Sequence, residues 1–315
     1  MMPDPSPKGL PVPSTSLIAD YARRLGLDST EADLRTRAAG PAEEVIELLD
    51  ELLNAHIRTI CFENLDVVAA SVGGELRSVP TDLGAVAAKL IDAGRGGYCH
   101  EHAALIRAAL TDLGITADPI LARIHLGEGR TAPGGMTHQA TVVDLDGRRY
   151  LVDPGFGAGT PGAALELRGG AEPRTTEHGE HRIVPAESVL SSTMVAEAEW
   201  ALQSRARSDQ EFRTVYAFAD IAREDADLEL ANWYTATKPG TRFTGLPVVA
   251  KALPNGGRAT LEGRHLLVYR PGTEPERIER NLTDVADFAA VLAEEFGLEL
   301  GRGVTDRIWR RVEAS

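Results

Sequence analysis

The sequence predicts an α+β fold in which helices and strands are segregated along the chain. Three observations carry this. Apolar residues recur at helical spacing through the first third, alternate at strand spacing through the middle, and do both in the last third. Glycines and Asp-Gly or Pro-Gly pairs punctuate the changes. At 315 residues, with 43% hydrophobic and 25% charged residues, the chain is long enough for a sizeable core.

Taken in order, residues 1–14 are proline-rich and predict a disordered, extended arm. The first helix, in "TSLIADYARRLGL", places Leu17, Tyr21 and Leu25 on one face, with Thr15 or Ser16 as cap and Gly26 at its end. The second begins at Pro41, a residue suited to a first turn. Glu43 and Glu44 there favour the positive end of the helix dipole, and Val45, Leu48, Leu49, Leu52 and Leu53 form the apolar stripe. "PTDLGAVAAKLIDAG" predicts a third helix. "CHEHAALIRAALTDLG" predicts a fourth, with Leu105, Ala109, Leu110 and Leu113 on one face and Gly114 closing it. Strands follow in "PILARIHL" and in the hairpin "HQATVVDLDGRRYLVD", where Asp146-Gly147 supplies the positive-φ turn. "EWALQSR" and "EFRTVYAF" read as a further strand pair. "LPVVAKAL", "GRATLEG" and "RHLLVYRPG" read as strands. "TDVADFAAVLAEEFGL" reads as an amphipathic helix capped by Thr283. The divisions fall near residues 115 and 220, giving segments 15–115, 116–220 and 221–315.

The net charge of −14 disfavours non-specific nucleic-acid binding. No run is long enough to span a membrane, and the N-terminus has no apolar core of a signal peptide. A cytoplasmic setting is expected, with the two cysteines as thiols.

Cys99 follows a glycine turn, "GRGG", at the start of the fourth helix. There the unpaired backbone N–H groups and the helix dipole favour a thiolate. A cysteine nucleophile needs a base, and the base needs an orienting group. His138 begins the hairpin and Asp153 ends it, so folding the hairpin brings these two residues together. A metal site at Cys99, His100 and His102 is not expected, because neighbours one and two apart on a helix diverge by about 100° and 200°. Zinc spacings are absent, and "GRGG" lacks the Gly-Lys-Ser/Thr of a phosphate loop.

Four segments together resemble the arylamine N-acetyltransferase family. They are Arg95-Gly96-Gly97-Tyr98-Cys99 with Glu101, Phe62-Glu63-Asn64-Leu65-Asp66, Thr137-His138, and Val152 to Gly157. "NWYTATKPGTRF" matches more weakly. The resemblance implies an N-terminal helical bundle, a central antiparallel β-barrel-like domain and a C-terminal α/β lid, with a Cys-His-Asp arrangement like that of cysteine proteases. It implies a catalytic Cys99, His138 and Asp153, and a ping-pong transfer of an acetyl or other short acyl group from acyl-CoA to an arylamine or hydrazine. Acetyl-CoA is then a co-substrate, and no cofactor is permanently bound. It further implies Phe62, Gly155, Phe156 and Gly157 at the acceptor, Trp233, Lys238 and Arg242 at the coenzyme, and a Glu63–Arg95 pair that holds the cysteine loop.

The chain departs from the family pattern at His100 (usually aromatic), Ala103 (commonly Asn) and Asn232 (usually His). These departures leave open a biosynthetic amide synthase that takes its acyl group from a carrier-protein or CoA thioester. A non-catalytic binder of coenzyme A or an aromatic ligand is disfavoured by the intact Cys99, His138 and Asp153. A transglutaminase-like hydrolase leaves the Phe-Glu-Asn and Gly-Phe-Gly segments unexplained.

Overall fold

The computed structural model describes residues 16–74, 76–126 and 132–314. The arm expected over residues 1–14 lies outside the described residues. The chain opens with α1 (Leu17–Leu25), α2 (Glu31–Ala38) and α3 (Ala42–Thr59). The Ser16 side chain caps α1, and Gly26 ends it at φ 71°. Pro41 is the N-cap of α3, one position before its first turn, and the predicted stripe of α3 is buried. α2 has a single buried residue, Leu34; a Thr30–Asp33 capping box starts it instead of an apolar stripe. A two-residue strand, β1 (Phe62–Glu63), leads into α4 (Leu65–Val72). The third predicted helix is α5 (Leu83–Ala87), which widens into a π-helical turn over Ala88–Asp92. α6 (Cys99–Asp112) begins at the cysteine itself. Its Leu105, Ile106 and Leu110 join Ile18, Leu49 and Leu53 in the first core. Each such aliphatic side chain, fully buried, stabilises the fold by about 1.5–3 kcal/mol relative to exposure.

The middle of the chain forms eight antiparallel strands in a nearly closed barrel-like sheet. They are β2 (Ala117–Ile124), β3 (Met136–Leu145), β4 (Arg148–Val152), β5 (Leu165–Glu166), β6 (Arg174–Thr176), β7 (Gly179–Pro185), β8 (Trp200–Arg205) and β9 (Arg213–Phe218). A short α7 (Ser192–Val195) lies between β7 and β8. The spatial order is β5-β4-β3-β2-β9-β8-β7-β6. The β3–β4 hairpin turns at Asp146 (φ 54°) and Gly147 (φ 78°), as its sequence predicts. β3 is buried on both faces. Ala140 and Val142 join the core of the sheet, while Val143 and Leu145 join the helical core with α6. Strand alternation therefore puts Gln139 on the face toward α6 and His138 on the opposite face.

The last third contains α8 (Asp225–Thr237), α9 (Arg242–Gly245), β10 (Val248–Leu253), β11 (Gly257–Glu262), β12 (His265–Arg270), β13 (Glu276–Asn281), α10 (Val285–Phe296) and α11 (Arg302–Glu313). Asp284, not Thr283, caps α10: its carboxylate accepts from the N–H groups of Ala286 and Asp287, each at 2.9 Å. β10 to β13 form a second antiparallel sheet completed by β1, with Phe62 opposite Ala250 and Glu63 opposite Val249. β1 also bridges to Gly97. The strand upstream of the cysteine thus ties the cysteine loop to the C-terminal sheet. No helix among the described residues is long and apolar enough to cross a membrane.

Candidate active site

The loop before α6 is held by close backbone packing. A Cβ on Gly96 would lie 2.1 Å from the Cys61 carbonyl oxygen, so only glycine fits. The Gly97 carbonyl accepts from Glu63 N at 2.7 Å and from His102 Nε2 at 2.9 Å. The Arg95 guanidinium donates to the Glu63 carboxylate at 2.5 Å and to Asp66 at 3.1 Å, so Glu63 and Arg95 are paired beneath this loop. Lys89 lies 2.8 Å from Glu101 and 2.7 Å from Asp66. Partly buried pairs of this kind fix geometry more than they add stability.

Cys99 is buried, and its Sγ lies 3.7 Å from the Thr137 carbonyl oxygen. Cys99 and His138 line the same cavity. His138 Nε2 donates to Asp153 Oδ2 at 2.8 Å, which leaves Nδ1 for the sulfur. Asp153 also accepts from the Tyr216 hydroxyl at 2.7 Å and from Gly155 N at 2.9 Å. Burial disfavours the thiolate, but His100 and His138 outweigh it and bring the Cys99 thiol down to about 5. Burial likewise disfavours the His138 imidazolium, but Asp153 outweighs it and raises His138 to about 10. Burial pushes the Asp153 carboxyl up, yet the charge of His138, with hydrogen bonds from His138, Tyr216 and Gly155, holds it below its ordinary value. These shifts favour a thiolate–imidazolium pair braced by a carboxylate.

Beneath Cys99 runs a buried chain of neutral groups. The Gly97 carbonyl can only accept, so His102 Nε2 carries a proton and His102 Nδ1 is the acceptor. His56 Nε2 donates to it at 2.6 Å, and the Tyr21 hydroxyl donates to His56 Nδ1 at 2.5 Å. Burial keeps both imidazoles uncharged: His102 is pushed down to about 4 and His56 well below its ordinary value. No sequence signal connects Tyr21, His56 and His102.

The thiol opens into a cavity of about 640 Å³. Phe62, Gly155, Phe156 and Gly157 all line it, with Phe243 and Tyr234, which the sequence reading did not single out. The Phe156 ring meets the His138 imidazole edge-on at 5.0 Å. Arg242 is at the cavity and forms a two-point ion pair with Glu262, both contacts at 2.8 Å. Trp233, 53% exposed, and Lys238 are not among the residues lining the cavity; the Lys238 ammonium sits 6.0 Å from the Tyr234 ring. Asn232 faces inward: its Oδ1 accepts from the Tyr98 hydroxyl, and its Nδ2 donates to the Val79 carbonyl at 2.8 Å. Tyr216 was not legible beforehand, since its partner Asp153 is 63 residues away in the chain.

A profile of the N-acetyltransferase family matches residues 45–305. The arylamine N-acetyltransferase of Mycobacterium tuberculosis is 34% identical over 284 residues, covering 88% of this chain and 91% of that protein. This chain belongs to the arylamine N-acetyltransferase family. The Escherichia coli family member is 31% identical over 84% of this chain and 86% of its own length. The solved structure of the Mycobacterium marinum arylamine N-acetyltransferase in complex with CoA superposes with a TM-score of 0.76 at 27% identity, covering 94% of this chain and 98% of that one. As in these relatives, the enzymatic activity of this arylamine N-acetyltransferase family member is acyl transfer, and its fold is the mixed α+β architecture expected from its sequence.

Proposed function

We propose that this enzyme moves an acetyl group from acetyl-CoA to an arylamine or hydrazine through an acetyl-Cys99 intermediate. The observation that carries this reading is the Cys99–His138–Asp153 cluster opening onto an aromatic-walled cavity. The Cys99 thiolate attacks the thioester carbonyl. The carbon–sulfur bond to coenzyme A then breaks, and the departing thiolate takes the proton from His138 Nδ1. An amine next attacks the acetyl-cysteine. Neutral His138 accepts the amine proton, Cys99 leaves as thiolate, and the resting pair is restored. Asp153 keeps the imidazole oriented and favours its charged form. Phe62 and Phe156 fit the flat face of an aromatic acceptor. An arylamine is neutral near pH 7, whereas an alkylamine such as lysine, with a pKa of about 10, must first lose a proton. The relatives' names and the CoA complex of the Mycobacterium marinum enzyme support the choice of donor and acceptor.

The test is mass spectrometry of the enzyme mixed with acetyl-CoA and no amine. One acetyl mass at Cys99 is expected, with none on Cys99→Ser. An unlabelled wild type would overturn the reading. Labelling by an acyl-carrier thioester and not by acetyl-CoA would reassign the donor.

A further inference from the structure

The pairing of β2 with β3 slips one residue before the catalytic histidine. Ala122 faces His138, but the next residue of β2, Arg123, faces Met136. Thr137 is the extra residue between them, a β-bulge. Bulges beside active sites re-aim groups that a regular ladder would hold in line. Here the Thr137 carbonyl oxygen lies 3.7 Å from Cys99 Sγ, and Thr137 lines the cavity together with Cys99 and His138.

Two side chains approach this oxygen, and neither supplies a proton once Cys99 is acylated. A thioester sulfur has no hydrogen to donate. The Thr235 hydroxyl is 3.4 Å away, but it has one hydrogen, and the Ala231 carbonyl takes it at 2.7 Å. The oxygen therefore faces the cavity with acceptor capacity to spare. A nucleophile in position to attack sits about 3–3.5 Å from the acyl carbon, which is bonded to Sγ. An oxygen 3.7 Å from that sulfur is within reach of a hydrogen on the attacking nitrogen.

We propose that the Thr137 main-chain carbonyl holds the attacking amine by one N–H while His138 takes the other, so that fast transfer requires two hydrogens on the attacking nitrogen. The nitrogen lone pair forms the bond to the acetyl carbon. The carbon–sulfur bond breaks with its electrons returning to Cys99, and one N–H proton passes to neutral His138. The second N–H stays on nitrogen and is the N–H of the product amide. Positive charge develops on nitrogen as the new bond forms, so its hydrogen bond to Thr137 is stronger in the transition state than in the bound amine. A nitrogen bearing one hydrogen and one alkyl group serves His138 alone and turns carbon toward the Thr137 oxygen.

This inference rests on the acetyl-Cys99 reading above, so its test starts from enzyme shown by mass to carry acetyl on Cys99. Failure to acquire that mass would overturn the reading itself. Loss of the acetyl group is then timed with two isomeric acceptors. In N-methyl-N-phenylhydrazine the terminal nitrogen carries two hydrogens; in N-methyl-N′-phenylhydrazine it carries one hydrogen and the methyl group. The isomers have the same atoms, and each rate is divided by that acceptor's rate with a simple thioester in water. The first isomer is expected to be favoured by about tenfold or more beyond the ratio in water, the size of a hydrogen bond to a charged group, and in kcat rather than KM. A ratio equal to that in water overturns the proposal. So does a difference carried by KM alone, which is the mark of poor fit. A structure of Cys99→Ala with phenylhydrazine reads the contact directly. The terminal nitrogen is expected about 3 Å from the Thr137 oxygen, and a nitrogen beyond about 3.5 Å overturns the proposal.

Discussion

His138 and Asp153 stand at the two outer ends of one hairpin and meet at 2.8 Å, although 15 residues separate them in the chain. The contact is the geometric consequence of a tight turn at Asp146-Gly147, so it needs no long-range coincidence. Asp153→Asn preserves the size of the side chain and its bond from Tyr216, but not the charge that holds the His138 proton on Nε2. Acetyl transfer is expected to fall by about a thousandfold or more, as for an Asp→Asn change in a protease triad, with the circular dichroism spectrum unchanged. Wild-type rates would remove Asp153 from the mechanism.

The pH dependence of stability below neutrality is a balance: the buried histidines, His181 (pushed down to about 4 by burial) among them, lose stability as the pH falls and outweigh Glu101, which burial raises to about 7 and which gains stability over the same range. In the range from about 6.5 to about 9, the folded chain holds one proton on the Cys99–His138 pair, on His138. The unfolded chain also holds one, on the thiol, so the pair contributes no slope. Below about 6.5 the unfolded chain gains a proton on each of these histidines that the folded chain does not. His102, depressed to about 4, then costs stability progressively as the pH falls from about 6.5 toward about 4, by about 3 kcal/mol in all. His56, depressed further, acts in the same direction. Urea unfolding midpoints should be level between pH 7 and 8.5 and should drop by pH 5. A midpoint at pH 5 equal to or above that at pH 7 would contradict the assignment of neutral His56 and His102.

Tyr21→Phe tests the same chain at its far end. It removes one hydroxyl and leaves buried His56 Nδ1 without its donor at 2.5 Å. The expected cost is about 1–3 kcal/mol, the usual range for a buried polar group left unpaired. The lost donor bonded only the neutral imidazole, so the folded His56 becomes easier to protonate, its pKa moves back toward the unfolded value, and the acid-side loss of stability should be smaller than in wild type. A variant as stable as wild type at pH 7 and pH 5 would show that the chain of hydrogen bonds carries no weight.

What the sequence made legible was local. The hairpin, the glycine-ended helices and the glycine turn before Cys99 each follow from neighbouring residues. α2 was missed because Leu34 is its one buried residue, so it has no stripe. α8 was missed because its buried side includes Asn232, Thr235 and Thr237, which do not register as apolar periodicity. β13 is almost wholly exposed, and β1 is two residues long. The cap of α10 was placed one residue early because Thr283 and Asp284 are both good caps and only the backbone conformation distinguishes them. Within the site, Tyr216, Gln139 and His56 were not legible, since each acts on a partner 35 or more residues away in the chain. His100 and His102 were visible only as residues without an assigned role.

Gly155 tests how tightly the hairpin end is pressed against α6. Its backbone is not in the left-handed region, so alanine can adopt its conformation. The added Cβ, however, would lie 2.9 Å from His102 Cβ and 3.2 Å from Cys99 Cα. Neither atom is the movable end of a long side chain, so the loop bearing Asp153 and the start of α6 must separate. Overpacking of this kind costs about 1–3 kcal/mol. The larger effect is expected on catalysis, because a shift of about 1 Å between reacting groups can cost about a hundredfold in rate. Gly155→Ala should therefore lose more acetyl transfer than its fall in melting temperature accounts for, at temperatures where it is still fully folded. Gly245→Ala is the control: no atom lies within 4 Å of its added Cβ, and both stability and rate should stay near wild type. Equal behaviour of the two variants would mean that the approach of Gly155 to Cys99 does not set the geometry of the nucleophile.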